Sequence, residues 1–122
     1  MEVLLKRCIG IGSMDGIAEH VYNSLGPGFS ESVYHRAFEV ALRMNGIQYE
    51  TERIVPVVFD NHVVGNVRCD LIVGDTIVEL KSITKLREQE KLQLTNYLKL
   101  TGMHKGMLIN FGPVLEISPC IV

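Results

Sequence analysis

The chain has 122 residues, of which 47% are hydrophobic and 21% are charged, and this balance excludes disordered and fibrous proteins. A chain of this length fits one domain, which we expect to span residues 1–122 with residues 1–12 uncertain. It should fold without a metal ion or disulfides. The formal net charge of −2 gives no overall attraction to nucleic acid.

The cysteine pattern and the lack of long apolar runs indicate the compartment. The three cysteines are far apart in the sequence and form no CxxC pair, which excludes a zinc knuckle and a thioredoxin-type redox site. No apolar run approaches the roughly 18 residues of a membrane span. The first residues also lack the pattern of a signal peptide. We therefore expect an intracellular, cytoplasmic protein with reduced thiols and no membrane partner.

The first predicted helix follows residues 1–12, a segment whose pattern is ambiguous between a short strand and a helix. Ser13 can cap this helix, which should run to about Ser24. Its buried face should carry three apolar residues spaced four apart: Ile17, Val21 and Leu25. The Gly and Pro within residues 25–28 then end the helix.

A second helix is predicted from about Ser30 to Asn45. It is followed by Gly46, a residue type that is common just after helix ends. Its apolar residues recur with helical spacing and should form the stripe that faces the core: Tyr34, Ala37, Phe38 and Ala41. Two helices thus precede the first predicted strand.

The period of the hydrophobic pattern changes after residue 49. Segments 50–59, 63–73 and 76–82 are rich in Val and Ile and are separated by short turn sequences. This arrangement predicts an antiparallel meander of three strands. A helix from about Lys85 to Thr101 and two strands, 106–111 and 114–118, should complete the chain. The order predicts an α+β or α/β fold with one mixed sheet flanked by helices.

The third predicted strand carries an acid and a lysine within an apolar run. Side chains alternate along a strand, so Glu79 and Lys81 project to one face, and Val78 and Leu80 project to the other. Charges are costly to bury unless they are paired or bind a metal. One interpretation is a structural ion pair. The other is a divalent-metal site in which Asp70 and Glu79 supply oxygen ligands and Lys81 acts on the attacking water.

Three further polar residues lie on helix faces that should point inward. Glu31 precedes Tyr34 by three residues at a helix start, where the helix dipole alone is a sufficient reason for an acid. Gln93 and Tyr97 are four apart and share one face of the later helix, where a tyrosine usually packs in the core. Taken separately, each is explained more simply by folding than by function.

Basic residues concentrate in one part of the chain. Residues 81–105 contain six lysines and arginines against two glutamates, a net charge of +4, so the remainder carries −6. On its own this stretch is most simply a solvated helix face. Part of the negative excess elsewhere would be offset if some carboxylates hold divalent cations.

Together, these residues follow one order along the chain: Glu31 on a helix, Asp70 and Glu79-x-Lys81 on strands, and Gln93-x-x-x-Tyr97 on a helix. This order resembles the PD-(D/E)XK nuclease superfamily, in particular its RecB-like branch with a Gln-x-x-x-Tyr motif. A bare acid pattern of this kind has little specificity, but four ordered stretches that match together are specific: 25–34, 78–81, 93–102 and 106–112.

At closer range the chain resembles the GxxExxY protein family. The motif of that name stands here as Gly28-Phe-Ser-Glu31-Ser-Val-Tyr34, and the stretches 93–102 and 106–112 match as well. The resemblance covers about residues 13–118. It departs from the superfamily at Cys69, where a proline would precede the first acid, and this change leaves the carboxylate itself in place.

The resemblance implies a restriction-endonuclease-like core, a central mixed sheet with flanking helices, that hydrolyses phosphodiester bonds of DNA or RNA with Mg²⁺ or Mn²⁺. It implies three metal ligands, Glu31, Asp70 and Glu79, with Glu31 binding directly or through water. Lys81 would activate water, and Gln93 and Tyr97 would support the site or contact phosphate.

Two other functions fit the same residues. One is a non-catalytic module on this fold that binds nucleic acid or another protein, since one fold hosts many functions. The other is a metal-dependent hydrolase of a small phosphoester. A chain this short has few elements with which to surround a duplex, so a homodimer or a larger complex is an expected form.

Overall fold

The structure is a computed structural model that describes residues 13–122. Within that range three helices and five strands follow one another as α1 (Met14–Leu25), α2 (Glu31–Met44), β1 (Glu50–Phe59), β2 (His62–Val73), β3 (Thr76–Lys81), α3 (Glu88–Thr101), β4 (Lys105–Phe111) and β5 (Leu115–Ile121). The ambiguous strand or helix of residues 1–12 lies outside the described residues.

The strands form one sheet in the order β1-β2-β3-β4-β5. Neighbouring strands are antiparallel except β3 and β4, which are parallel with Glu79 opposite Leu108 and Lys81 opposite Asn110. Parallel neighbours need a crossover connection, and α3 supplies it. The predicted meander of β1 to β3 and the predicted mixed sheet flanked by helices are both confirmed.

Helices cover both faces of the sheet, and each face has its own core. On one face, Tyr34 and Phe38 of α2 cluster with Val78 of β3 and with α1. On the other face, Leu98 of α3 clusters with Ile77 of β3. Alternation along β3 sends neighbouring side chains into different cores, so this strand is buried on both sides.

The predicted helix starts are confirmed at α1 and α2 and wrong at α3. Ser13 caps α1 as predicted, since its Oγ accepts a hydrogen bond from the N–H of Gly16 at 3.2 Å. Helix α3 begins at Glu88 rather than near Lys85. The reason is a capping box in which Arg87 N–H donates to the Glu90 side chain at 2.8 Å.

One residue of each predicted core stripe packs less completely than expected. Leu25 is 36% exposed because α1 ends there. Gly26 follows with a φ of 72°, which lies outside the right-handed helical region. Ala37 is only half-buried on α2. The remaining stripe residues are buried as predicted, so both helices present the expected face to the sheet.

A buried asparagine holds the connection between β3 and α3. Asn110 of β4 is fully buried, and its Oδ1 accepts from the N–H of Ile83 at 2.9 Å while its Nδ2 donates to the carbonyl of Ile83 at 2.9 Å. The same Nδ2 donates to Glu116 Oε2 at 2.7 Å, which also accepts from the N–H of Leu86 at 3.0 Å. A Cβ at Gly112 would clash with the carbonyl oxygen of Ile83. The loop of residues 82–87 is therefore fixed against β4 and β5.

Replacing Asn110 by Ala should destabilise the chain by about 2–3 kcal/mol, because the polar groups of Ile83 lose their partners in a buried place. Urea denaturation measures this change. The exposed Asn66 gives a matched control, since Asn66→Ala should change the free energy of unfolding by less than about 0.5 kcal/mol. Equal effects of the two substitutions would contradict the assigned role of Asn110.

Candidate functional site

Strands β2 and β3 separate at Asp70 and Glu79. There, side-chain carboxyl groups replace backbone carbonyls as the acceptors for backbone N–H groups. The antiparallel ladder extends to the pair Leu71–Val78. Beyond it, the N–H of Asp70 donates to Glu79 Oε2 at 2.7 Å, and the N–H of Leu80 donates to Asp70 Oδ2 at 2.9 Å. Buried N–H groups need partners, so this exchange of hydrogen bonds fixes both carboxyl groups between the strands.

The surroundings of these two carboxyl groups disfavour a negative charge on both at once. Burial raises the pKa of Glu79 to about 8, and the nearby charge of Asp70 contributes to the increase. Burial also raises the pKa of Asp70, although the hydrogen bond from Leu80 opposes it. Glu79 is only 3% exposed. Both groups would therefore gain from a cation placed against them.

Lys81 is the cation that β3 itself brings to these carboxyl groups. Its charge lowers the pKa of Glu79, Asp70 and Glu31, so it lies within electrostatic reach of all three. Its Nζ donates to Gln93 Oε1 of α3 at 3.0 Å. The glutamine therefore holds the ammonium group at a defined place beside the acids.

Tyr97 completes the side of the site that α3 covers. It lies one turn after Gln93 and is 8% exposed. Burial raises the pKa of its phenol to about 12, with further contributions from the charges of Glu79 and Cys69. Burial likewise raises the pKa of the Cys69 thiol to about 11. Both groups are therefore protonated at neutral pH, and the phenol presents a neutral hydroxyl near the acids.

Glu31 approaches the same carboxyl groups from the opposite face of the sheet. It is the first residue of α2 and lies at the exposed rim of the site. Partial burial of its carboxyl group raises its pKa; the charge of Lys81 lowers it and the charge of Asp70 raises it. Because β2 and β3 part at this point, residues from α2 and from α3 reach one place.

His35 also belongs to this neighbourhood, and the sequence analysis did not identify it. It lies one turn after Glu31 on α2, and its charge lowers the pKa of both Glu31 and Asp70. Its Nε2 lies 3.0 Å from Thr51 Oγ1 and 3.2 Å from Glu39 Oε2. The spacing of four residues from Glu31 was the available signal, because such residues share a helix face.

The segment before Glu31 is held in place by Tyr34. The hydroxyl of Tyr34 donates to the carbonyl of Gly26 at 2.5 Å and accepts from the N–H of Phe29 at 3.2 Å. Its ring stacks on Phe111 with centroids 4.5 Å apart. The carbonyl of Phe29 in turn accepts from Ser82 Oγ at 2.8 Å. These contacts fix where α2 begins and therefore where Glu31 lies relative to β3.

The structure thus brings all six predicted site residues into one neighbourhood: Glu31, Asp70, Glu79, Lys81, Gln93 and Tyr97. Among residues 13–122, no group of three or more His, Cys, Asp or Glu side chains is arranged as a ready metal site. The donor set nevertheless fits Mg²⁺ or Mn²⁺, which prefer carboxylate oxygens. Asp70 and Glu79 each direct one oxygen at a backbone N–H, which leaves the other oxygen for a cation.

Comparison with known proteins identifies the family. A family model of the PD-(D/E)XK nuclease superfamily matches residues 11–119. The chain belongs to the PD-(D/E)XK nuclease superfamily. The crystal structure of SSO0001 resembles it with a TM-score of 0.61 and 22% sequence identity, over 74% of this chain and 50% of that chain. This likeness is one of fold, and the chain spans half the length of SSO0001. The comparison with curated proteins returned no match.

The superfamily match confirms the predicted superfamily and, with the sheet and its helices, the predicted fold class. PD-(D/E)XK proteins are generally hydrolytic nucleases that use divalent metals on nucleic acid. In the part of the chain that the structure describes, no helix is both long enough and apolar enough to cross a membrane.

Glu79 should make the stability of the metal-free chain depend on pH. Its pKa lies near 8 in the folded chain against an ordinary value of 4.5, so the folded state retains a proton that the unfolded state has lost. The free energy of unfolding should therefore fall as pH rises from about 4.5 to about 8, by on the order of 5 kcal/mol. Urea denaturation in EDTA at a series of pH values measures this.

Two variants test the assignment of that slope. Glu79→Gln keeps an acceptor for the N–H of Asp70 and removes the charge, so it should flatten the pH dependence. Glu88→Gln removes a carboxylate whose side chain is 93% exposed, so it should leave the slope unchanged. A wild-type slope in Glu79→Gln would show that another group is responsible.

Proposed function

We propose that this chain is a divalent-metal-dependent nuclease that hydrolyses phosphodiester bonds of DNA or RNA. The observation that carries the proposal is the pair of carboxyl groups held between β2 and β3 by backbone N–H groups. Both have raised pKa values, and Lys81 lies within electrostatic reach of them. Membership of the PD-(D/E)XK nuclease superfamily supports the reaction class.

Asp70 and Glu79 would hold the metal, with Glu31 as a third ligand directly or through water. When bound there, Mg²⁺ or Mn²⁺ polarises a phosphoryl oxygen and makes a water molecule easier to deprotonate. Burial is the main cause of the raised pKa values of all three carboxyl groups, and repulsion between acids adds to it. A bound cation would stabilise their charged forms, which favours this assignment.

Lys81 would place its ammonium group against the reacting phosphate and orient the attacking water. The hydrogen bond to Gln93 limits the positions that its flexible side chain can adopt. A fixed ammonium group stabilises negative charge that develops on the phosphoryl oxygens and needs little reorganisation to do so. Tyr97 adds a neutral hydroxyl near Glu79, which can donate to a phosphate oxygen or to a bound water.

The arrangement also supports the finer family assignments. Gln93 and Tyr97 act on Lys81 and Glu79 from one helix face, as a Gln-x-x-x-Tyr motif of the RecB-like branch would require. In the GxxExxY motif, Tyr34 anchors the loop that carries Gly28 and so sets the position of Glu31. We therefore propose that the chain is a GxxExxY protein.

We further propose that the chain acts as one domain inside the cell, in the cytoplasm, and as a homodimer or within a larger complex. Its sheet and three described helices leave few elements to surround a nucleic acid duplex. A second protein or a second copy would supply the missing contact surface.

The proposal is tested by incubating the wild type with end-labelled DNA and RNA, single- and double-stranded, in Mg²⁺, Mn²⁺ or EDTA. Lys81→Ala should lower the cleavage rate by about 10²–10⁴-fold, because the group that orients water and faces the phosphate is lost. Denaturing gels resolve the products and their polarity.

Lys85→Ala is the matched control, since Lys85 is an exposed lysine four residues later in the same basic stretch and should not affect the rate. Cleavage that survives Lys81→Ala in a clean preparation would contradict the assigned site. Binding of nucleic acid without turnover would favour the non-catalytic module. Hydrolysis confined to small phosphoesters would favour a metal-dependent hydrolase of a small phosphoester.

Metal binding should appear in the thermal stability of the chain. At a concentration of 100 times its Kd, Mn²⁺ should stabilise the wild type by about 2.7 kcal/mol. Asp70→Asn should remove this effect, although its amide oxygen can still accept from the N–H of Leu80. Asp75→Asn, in the exposed turn before β3, should keep it. Calorimetry with and without Mn²⁺ compares the three proteins, and equal stabilisation of all three would refute the metal assignment.

A further inference from the structure

A cleft of about 600 Å³ adjoins the candidate site and takes no part in the chemistry proposed above. Its walls are three short segments, residues 27–29, 82–84 and 111–113. Segment 82–84 follows Lys81 directly, and segment 27–29 ends two residues before Glu31. The cleft therefore lies beside the backbone of Lys81 and the start of α2, which both belong to the candidate site.

Each wall is held by a side chain that belongs to the core. Tyr34 holds the first segment through Gly26 and Phe29. Asn110 holds the second through both backbone groups of Ile83. The third is held where Tyr22 OH donates to the carbonyl of Gly112 at 2.6 Å. Walls fixed in this way make a preformed cleft, as ligand sites usually are.

The chemistry of the lining is uncharged and partly aromatic. Within the described chain, the nine residues of these three segments include no ionisable side chain. Phe29 is 46% exposed, which leaves part of its ring free for contact, while its edge-to-face partner Tyr34 is buried beneath it. An uncharged aromatic wall does not suit a phosphate group and does suit the flat face of a nucleobase.

Several polar groups of the walls are already paired within the chain. The N–H and carbonyl of Ile83 bond to Asn110, Ser82 Oγ bonds to the carbonyl of Phe29, and the carbonyl of Gly112 bonds to Tyr22. Stacking uses the face of a base, which all four bases share, and not its edge. Stacking on Phe29 would thus act on any of the four bases alike.

We propose that this cleft is a nucleobase pocket, in which Phe29 stacks on an unpaired base of the substrate strand next to the phosphate that is cleaved. The inference rests on the proposed nuclease function and adds its substrate class. A base inside a duplex is already stacked and paired, so withdrawing it into the cleft costs free energy that inserting an unpaired base does not. The pocket therefore selects single strands or unpaired ends, with little sequence preference.

Binding is measured in the Glu79→Gln background, in which the proposed function predicts no cleavage. The probes are short fluorescent DNA and RNA single strands and the same sequences as blunt duplexes. Phe29→Ala should weaken single-strand binding by about 5- to 150-fold. The parent protein should bind blunt duplexes more weakly than single strands, and Phe29→Ala should not change duplex binding. Phe29→Tyr should bind like the parent protein because it keeps the ring.

Two controls separate stacking from a general effect on the fold. Phe29→Leu keeps apolar volume against Tyr34 and loses the ring, so it should weaken binding even if Phe29→Ala is unstable. Phe59 is an aromatic residue of β1 that is 67% exposed, and Phe59→Ala should not change binding. A further test uses a set of single strands in which one abasic site is moved along the sequence. At one position the abasic site should weaken binding to the parent protein and should not change binding to Phe29→Ala.

The outcomes distinguish this inference from the proposed function. One outcome is that the wild type cleaves with metal and that substitution of Phe29 does not change single-strand binding. This would overturn the proposed pocket and keep the proposed nuclease function. Binding that depends on Phe29 without any cleavage would support the pocket and count against the nuclease. Blunt duplexes bound as tightly as single strands would overturn the pocket, and no binding or cleavage of any probe would overturn both.

Discussion

The exchange of hydrogen bonds between Asp70 and Glu79 is the constraint on which the rest of the site depends. Two strands that part within a protein leave backbone N–H groups without partners, which costs free energy unless other acceptors are present. Here each carboxyl group accepts from the backbone of the opposite strand. Both acids are thereby fixed in a buried place where their negative charges repel, and the raised pKa of Glu79 reflects this. The chain retains an unfavourable electrostatic arrangement that a cation would relieve.

The parting of β2 and β3 also explains how two helices on opposite faces serve one site. Helix α2 brings Glu31 and His35 from one side, and α3 brings Gln93 and Tyr97 from the other. A continuous sheet would separate these groups. The loops at the ends of the strands complete the arrangement, because Asn110 and Tyr34 hold them through buried hydrogen bonds. Folding and function thus share the same polar residues.

The superfamily match and the geometry both support the proposed nuclease. The match rests on the sequence over residues 11–119, and the geometry rests on charges and hydrogen bonds that no sequence pattern contains. The likeness to SSO0001, at 22% identity, concerns the fold alone. The proposed nucleobase pocket extends the proposal to the strand that carries the phosphate, because its uncharged lining lies beside Lys81 and the start of α2.

The sequence by itself determined the elements, the mixed sheet and the six candidate residues. Hydrophobic periodicity records which side of a strand or helix is buried, and the order of Glu31, Asp70 and Glu79 is a property of the chain. Only the tertiary structure decided how these residues meet. The exchange between Asp70 and Glu79, the late start of α3 and the loop contacts of Asn110 join residues distant in sequence or depend on local capping. Such contacts form when elements pack, and periodicity carries no information about them.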